Sequence, residues 1–514
     1  MKFDMVMQGI EYEIVQQSRL YDNQHDIKAI TIDSRKAGEN SLFICLRGLQ
    51  ADGHSFIDDV AQQGASVVII DRDQESSYPP NLTICKVLDS RKSLSYIAAN
   101  FYGRPADKMC LFGVTGTNGK TSVTYILEAI LSQVSKTGLI GTVGISMGGD
   151  KLNIPFSTST TPDPPELQQI FHYMLDNNNH NLDSLVSSSD SNLNAPLNGL
   201  VPVVMEVSSH ALALHKMEGL FFETAMFTNL TQDHLDFHGT MENYLAAKAK
   251  LFGQCRYGIV NGDDKYSPQI MTIGNCEKWI TYGIDSDCDL RALHIRYLDD
   301  VQEGSSFDIE IEGVLENFYL PVKGRFNIYN ALAAIGAALS VGISVKDIRA
   351  GLATFQGVPG RLQSVSNDKG FHVLIDYAHS PDGLVNIINA VRAFTTGKVI
   401  TLFGCGGDRD KEKRPIMGRI AGELSDHCIL TSDNPRSEPP NSIITQIEEG
   451  VKDTNCLYDV FVERRDAIFH GVAMLEPGDS LIIAGKGHEN YQIVSDQTLH
   501  FDDVEVAKEA LATC

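Results

Sequence analysis

The loop Gly113-Val-Thr115-Gly116-Thr117-Asn118-Gly119-Lys120-Thr121 carries the strongest chemical signal in this 514-residue sequence. Its glycines let the backbone fold tightly, so that N–H groups can point at phosphate oxygens. Lys120 can reach the β- and γ-phosphates of a nucleotide, and the Thr121 hydroxyl can ligate Mg²⁺. The commonest phosphate-loop spacing would place its first glycine at 114, which is Val114; Gly113 stands one residue earlier. That shift marks a narrower variant, Gly-x-x-Gly-x-Asn-Gly-Lys-Thr. Three further residues attract attention by type and place. Glu206 closes an apolar run and has the charge of a metal ligand facing such a loop. Lys248 lies in a helical pattern, where alone it reads as a solvated lysine. Arg436 follows Asp433-Asn434-Pro435 and can grip a carboxylate through two parallel hydrogen bonds, although the same spot fits an ordinary surface turn.

The elements around these residues supply their context. Met109–Val114 is a short apolar strand and Ser122–Leu131 a helical pattern, so the glycine-rich loop joins strand to helix as a phosphate loop requires. Further apolar strands are expected at Val201–Val207 and Thr224–Asn229, and an alanine-rich helix at Gly324–Val341. Upstream, strand-like Ser41–Leu46 and Ala65–Ile70 flank a helical Ser55–Gln63. Downstream, Val373–Ile375, Lys398–Phe403, His427–Thr431 and Ser480–Ala484 are short apolar strands, each followed by a polar or glycine-rich loop. That rhythm predicts a doubly wound α/β unit with ligand groups at the carboxyl ends of its strands. Three domains are expected: 1–106, 107–356 and 357–514. The Asn/Ser-rich stretch 176–198 has little apolar periodicity and reads as a flexible surface insertion.

Composition narrows the function. With 42 basic and 66 acidic side chains the formal charge is −24. That argues against nucleic-acid binding, which needs basic surface to displace phosphate counterions. A local Arg/Lys pocket can still hold anions. No apolar run approaches the ~18–20 residues that cross a bilayer. The first fifteen residues lack the basic-then-apolar pattern of a signal peptide. No membrane partner and a cytoplasmic location are therefore expected. The ten cysteines are scattered without a Cys-x-x-Cys pair, which favours reduced, mostly buried thiols.

The sequence resembles the Mur ligase family, cytoplasmic enzymes that build the peptide of cell-wall precursors. The resemblance rests on segments in family order along nearly the whole chain: Asp33-Ser-Arg, Gly113–Thr121, Thr160-Thr-Pro, Glu206-Val-Ser-Ser-His, Asn229-Leu-Thr-Gln-Asp-His, Tyr244-Leu-Ala-Ala-Lys, Gly324-Arg-Phe-Asn, Gly360-Arg, Asp376-Tyr-Ala-His-Ser-Pro and Gly485-Lys-Gly-His-Glu. It implies a three-domain α/β architecture: a UDP-sugar-binding domain, a central P-loop parallel-sheet ATPase domain, and a Rossmann-like C-terminal domain for the incoming amino acid.

The resemblance also implies an activity and its parts. ATP would phosphorylate a carboxylate of UDP-N-acetylmuramoyl-L-alanyl-D-glutamate, and an amine would displace the phosphate. Asp433-Asn-Pro-Arg436 with Gly404-Cys-Gly-Gly-Asp-Arg409 points to meso-2,6-diaminopimelate as that amine. Gly113, Thr115, Gly116, Thr117, Asn118, Gly119, Lys120, Thr121, Asn327 and Arg361 would meet ATP. Thr121, Glu206, His234 and Lys248, carbamylated by CO₂, would hold Mg²⁺ or stand beside it. Ser34, Gln50, Ala51, Thr160, Thr161, Ser208 and Lys216 would meet the UDP-sugar. Arg409, Asp433, Asn434, Pro435, Arg436, Gly485 and Glu489 would meet diaminopimelate, and Asp376, His379 and Arg325 would frame the adenine side or hinge. Leu214 and Lys216 depart from the family's usual Gln and Arg, and Lys216 loses the two-pronged geometry of arginine. A monomer is expected. The alternatives are lysine addition, a folate polyglutamylating enzyme, a non-catalytic nucleotide-binding relative and a nucleic-acid-dependent motor. The loop 433–436, the intact Lys120, Glu206 and Lys248, and the acidic charge argue respectively against the last three.

Overall fold

The computed structural model describes residues 1–18, 25–48, 51–73, 77–154, 156–158, 160–185, 196–298 and 304–513. Near the N-terminus a five-stranded sheet runs in the order 13–16, 83–86, 67–70, 41–44, 29–31, parallel except for its first pair. Val67–Ile70 is buried at every position, as a strand covered on both faces must be.

The central sheet has nine strands, ordered 290–291, 278–283, 255–261, 222–227, 109–115, 201–206, 138–141, 144–147, 150–152. All pairings are parallel except the last two. Alternation along Met109–Thr115 sends Cys110, Phe112 and Val114 to one core and Met109 and Leu111 to the other. The first core packs helix Lys120–Leu131 against helix Arg325–Ser340, whose alanines let the two approach closely. A three-stranded antiparallel sheet, 293–298, 304–311 and 314–320, covers the same side.

The third unit is a six-stranded sheet in the order 363–364, 372–376, 480–484, 399–403, 427–431, 457–461, parallel except for the first pair. Its later strands fall where the apolar runs predicted. The turn into it is tight: at Gly360, φ +68°, an added Cβ would strike the backbone of Gly487 and His488.

One expectation fails. Helix Pro164–Leu185 continues through the first ten residues of the Asn/Ser-rich stretch. Leu167, Ile170, Phe171 and Met174 bury one face of its first half and anchor it. Asparagine lowers helix propensity by only about 0.7 kcal/mol or less per residue, too little to stop a helix so anchored. Residues 186–195 lie outside the described ones, as does Gln50.

Candidate active site

Strand Met109–Thr115 ends at the loop, and helix Lys120–Leu131 begins directly after Gly119. At Gly116, φ +152°, a Cβ would fall on the Thr228 hydroxyl, so the loop passes where only glycine fits. Asn229 holds the loop from the neighbouring strand end: its Oδ1 accepts the Asn118 N–H at 2.9 Å, and its carbonyl accepts the Thr117 N–H at 2.9 Å. The Lys120 ammonium donates to the Gly116 and Thr117 carbonyls, both at 2.9 Å.

Lys248, 1% exposed, donates to the same Gly116 carbonyl at 2.8 Å and lies 4.5 Å from the Tyr244 ring centre. Among the described residues neither lysine has a carboxylate partner within ion-pair distance. Burial pushes the Lys248 ammonium well below its ordinary range, and the neighbouring Lys120 adds to this. Lys120 is lowered too, by burial and by Arg361, with Glu206 opposing. An isolated buried ammonium costs many kcal/mol, so a lysine in such a place sheds its proton or finds an anion. Lys250, two residues on, is exposed and donates instead to Leu212 O at 3.4 Å.

Glu206 ends strand Val201–Glu206 at 1% exposure. Its Oε1 accepts the Thr142 N–H at 2.8 Å and its Oε2 the Thr142 hydroxyl at 3.1 Å. Among the described residues it has no ion pair. His234 caps helix Leu235–His238 in the left-handed region, φ 53°. It stands edge-on to His210, ring centres 4.8 Å apart. Burial and the cations around it hold it below its ordinary pKa, with Asp233 opposing.

Thr117–Ser122, Thr142, Thr160, Glu206 and His234 line one cavity of about 820 Å³. Its far wall comes from the third unit: Arg361, Asp376, Tyr377, His379 and Asp382. The Asp382 carboxylate accepts the Asn118 side-chain amide at 2.7 Å and the Thr231 hydroxyl at 2.9 Å, which joins this unit to the phosphate loop. Arg361 lies 4.7 Å over the Tyr377 ring. Burial raises the Asp376 carboxyl, and Arg361 opposes that.

A second cluster sits at the carboxyl ends of strands 399–403, 427–431 and 480–484. Asp433 and Asn434 are buried, and the Asn434 amide donates to Glu489 at 2.8 Å. The Ile493 N–H donates to Asn434 Oδ1 at 2.9 Å. Arg436, φ 50°, donates to the Gly407 carbonyl at 2.9 Å. Burial and Asp433 raise Glu489. This geometry offers carboxylates and an amide to an ammonium group, and a guanidinium to a carboxylate.

Residues 26–102 match the Mur ligase family catalytic domain, 114–338 the Mur ligase middle domain, and 360–487 the Mur ligase glutamate ligase domain. A relative from Clostridioides difficile, named UDP-N-acetylmuramoyl-L-alanyl-D-glutamate--2,6-diaminopimelate ligase, is 42% identical and covers 100% of both chains. The chain belongs to the Mur ligase family. A relative of the same name from Caldanaerobacter subterraneus subsp. tengcongensis is 43% identical over 99% of this chain and 98% of its own. A solved structure of that title is 27% identical, with TM-score 0.67 over 100% of this chain and 99% of that one. The Acinetobacter baumannii UDP-N-acetylmuramoylalanyl-D-glutamyl-2,6-diaminopimelate--D-alanyl-D-alanyl ligase, at 18% identity and TM-score 0.59 over 100% and 97% of the two chains, shares the fold. Mur ligases are ATP-dependent, and so is this one.

The Mur ligase motifs map unevenly onto the cavity. Thr117–Thr121, Thr160, Glu206, His234 and Arg361 meet there. Gly113 and Thr115 lie within the strand, Gly113 against the Phe222 ring. Asn327 is not in the lining; its amide donates to Lys323 O at 2.8 Å. Asn330, one helical turn later, lines the cavity instead, beside Gly119. Thr161 and Ser208 bond one another beside Glu206, at 3.1 Å from the Ser208 N–H to Thr161 Oγ1. Lys216 pairs with Asp163 at 2.8 Å. Ser34 and Ala51 belong to the N-terminal unit and do not reach the cavity, and Arg409 is exposed. Sequence reasoning missed Thr142, Asp382 and Asn330. Thr142 follows a buried strand and Asp382 a Ser-Pro helix start, both readable signals; Asn330 needed the helix face.

Among the described residues no cluster of three or more His, Cys, Asp or Glu side chains is placed to hold a metal ion. The buried, cation-free Glu206 carboxylate and the Thr121 hydroxyl on the cavity wall nevertheless suit a hard cation that takes most of its ligands from phosphates and water.

Proposed function

We propose that this chain is an ATP-dependent ligase that joins meso-2,6-diaminopimelate to UDP-N-acetylmuramoyl-L-alanyl-D-glutamate in peptidoglycan precursor synthesis. The observation that carries the reading is the second cluster, where Arg436 is presented beside buried Asp433 and Asn434 and half-buried Glu489. Diaminopimelate has a second carboxylate where lysine has only hydrogen. A guanidinium facing that point favours the dicarboxylate, because lysine would leave it unpaired.

The units divide the work as 1–106 for the UDP-sugar, 107–356 for ATP and 357–514 for the amino acid. A carboxylate does not condense with an amine in water, since its oxygen is a poor leaving group. Lys120 and the loop N–H groups hold the ATP phosphates so that a substrate carboxylate oxygen attacks the γ-phosphorus and ADP leaves. The amine then attacks the acyl carbon; a C–N bond forms, the C–O bond to phosphate breaks, and the amine proton is lost. Thr121 and Glu206, with His234 nearby, would hold Mg²⁺, whose charge would offset repulsion among the three anions. Burial lowers the Lys248 pKa, which favours the neutral amine that adds CO₂ with loss of a proton, and the carbamate would be a further anionic ligand. Thr160, Thr161, Ser208 and Lys216 face the sugar-peptide side. The protein acts as a cytoplasmic monomer; among the described residues no helix is long and apolar enough to cross a membrane.

The test is phosphate release from ATP with Mg²⁺, the UDP-sugar dipeptide and one amino acid. Release with diaminopimelate and not with lysine is expected. Release with lysine alone would move the enzyme to lysine addition, and release with neither would make it a nucleotide binder.

A further inference from the structure

Arg414 is fully buried yet lies outside every segment assigned so far. Its guanidinium donates to both Glu438 carboxylate oxygens, at 2.9 and 3.0 Å, to Gln446 Oε1 at 2.8 Å and to the Gly406 carbonyl at 3.1 Å. Glu438 in turn accepts the Asp408 N–H at 2.7 Å and pairs with Lys411 at 3.2 Å. The return stitch runs the other way: the Ser437 N–H and hydroxyl donate to Asp408, at 3.1 and 2.7 Å. The Gly407 N–H donates to the Asn434 carbonyl at 2.9 Å, and Arg436 donates to the Gly407 carbonyl.

Two loops, 404–410 and 432–438, are thereby tied together at both ends, with Arg436 between the ties. We propose that the Arg414–Glu438 pair is a positioning clamp that sets the Arg436 guanidinium for the incoming amino acid, and so determines selectivity without touching substrate. The inference rests on the proposed amino-acid site. Its physical basis is that Arg436 sits in the left-handed region at φ 50°, a conformation that a non-glycine residue keeps only when its surroundings fix it. A forked, buried arginine bonded to both loops fixes it, and lysine, a single point donor, does not.

The test uses the full chain with Glu438→Gln, which keeps shape and removes charge, and Arg414→Lys. With saturating ATP, each variant is expected to raise the KM for diaminopimelate by about ten-fold or more, as a small misplacement of a binding group does. The KM for ATP should stay within about two-fold, because the phosphate loop is untouched. Glu438→Gln added to Arg436→Lys should cost little beyond Arg436→Lys alone, since the clamp acts through Arg436. Hydrogen exchange of peptides 404–410 and 432–438 should rise together in Glu438→Gln. An unchanged KM for diaminopimelate, fully additive effects, or unchanged exchange in either loop would overturn the clamp. If the wild type proves inactive with diaminopimelate, the reaction assignment fails, and the exchange measurement still decides the clamp.

Discussion

The phosphate loop and the proposed amino-acid cluster both gather charged groups, but they are built on different plans. Around the loop, buried Lys248 and half-buried Lys120 donate to backbone carbonyls, and Glu206 is buried against a threonine. Among the described residues none of the three has a partner of opposite charge within ion-pair distance. In the third unit several charges are paired, Arg414 with Glu438, Arg464 with Asp503 at 2.7 Å, and Lys486 with Glu489 at 3.4 Å, whereas buried Asp433, Asp376 and Asp479 have no ion pair among the described residues. The first region has no ion pair of its own, whereas in the second a frame of paired charges surrounds Asp433 and Arg436, which have none among the described residues. One leaves its charges unbalanced, and the other spends part of its charge on rigidity.

The sharpest way to break that contrast is Lys248→Ala. If its amine is part of the chemistry, phosphate release should fall by roughly a hundred-fold or more, the scale on which one preorganised electrostatic group matters. Added bicarbonate should not restore it. Wild-type turnover would mean that the buried lysine is merely structural.

Asp503→Ala probes the other plan. It strands Arg464, which is 1% exposed and bonded to both Asp503 oxygens and to Ala484 O. Breaking a buried pair on one side costs about 3–5 kcal/mol, so chemical denaturation should show that loss. Loss confined to activity, with stability intact, would remove rigidity from the comparison. Next in size is Arg436→Lys. Trading two charge-assisted bonds for one should lower kcat/KM for diaminopimelate by about ten- to a hundred-fold, or roughly 1.5–3 kcal/mol, with the KM for ATP unmoved.

The smallest effect is expected where the two regions touch. His488 packs beside Tyr377, and burial together with Arg361 lowers it to about 4, although a hydrogen bond to the Thr142 backbone opposes this. An unfolded histidine titrates near 6.5. Between those values the unfolded chain holds the proton and the folded chain does not. Stability therefore falls as pH drops from about 7 toward 4. His488→Gln should make the fall shallower in a series of thermal melts; an unaltered slope would place the acid sensitivity elsewhere.

The two plans were not equally legible in the sequence. Strand–loop–helix geometry fixes where Lys120 and Thr121 must lie, so local pattern was enough for them. His427–Thr431 and Ser480–Ala484 were readable as strands to the residue, because each is a short apolar run closed by polar residues. Tertiary approach was not readable. Nothing local sends Asp382 to Asn118, 264 positions away in sequence. Nothing local distinguishes Asn330 from Asn327 without the helix face on which each falls. The helix through Leu185 was missed because burial of its first half outweighs the poor propensity of its second.

Gly360 and Gly487 meet back to back, both at positive φ, with no room for a Cβ on either. For anyone engineering this enzyme, that contact is a boundary. Replacing flexible glycines by stiffer residues is a common route to heat resistance. Here it would push the chain entering the third unit away from the loop that carries His488 and Glu489. The two positions form one design unit, and a library that varies either alone would sample mostly broken molecules.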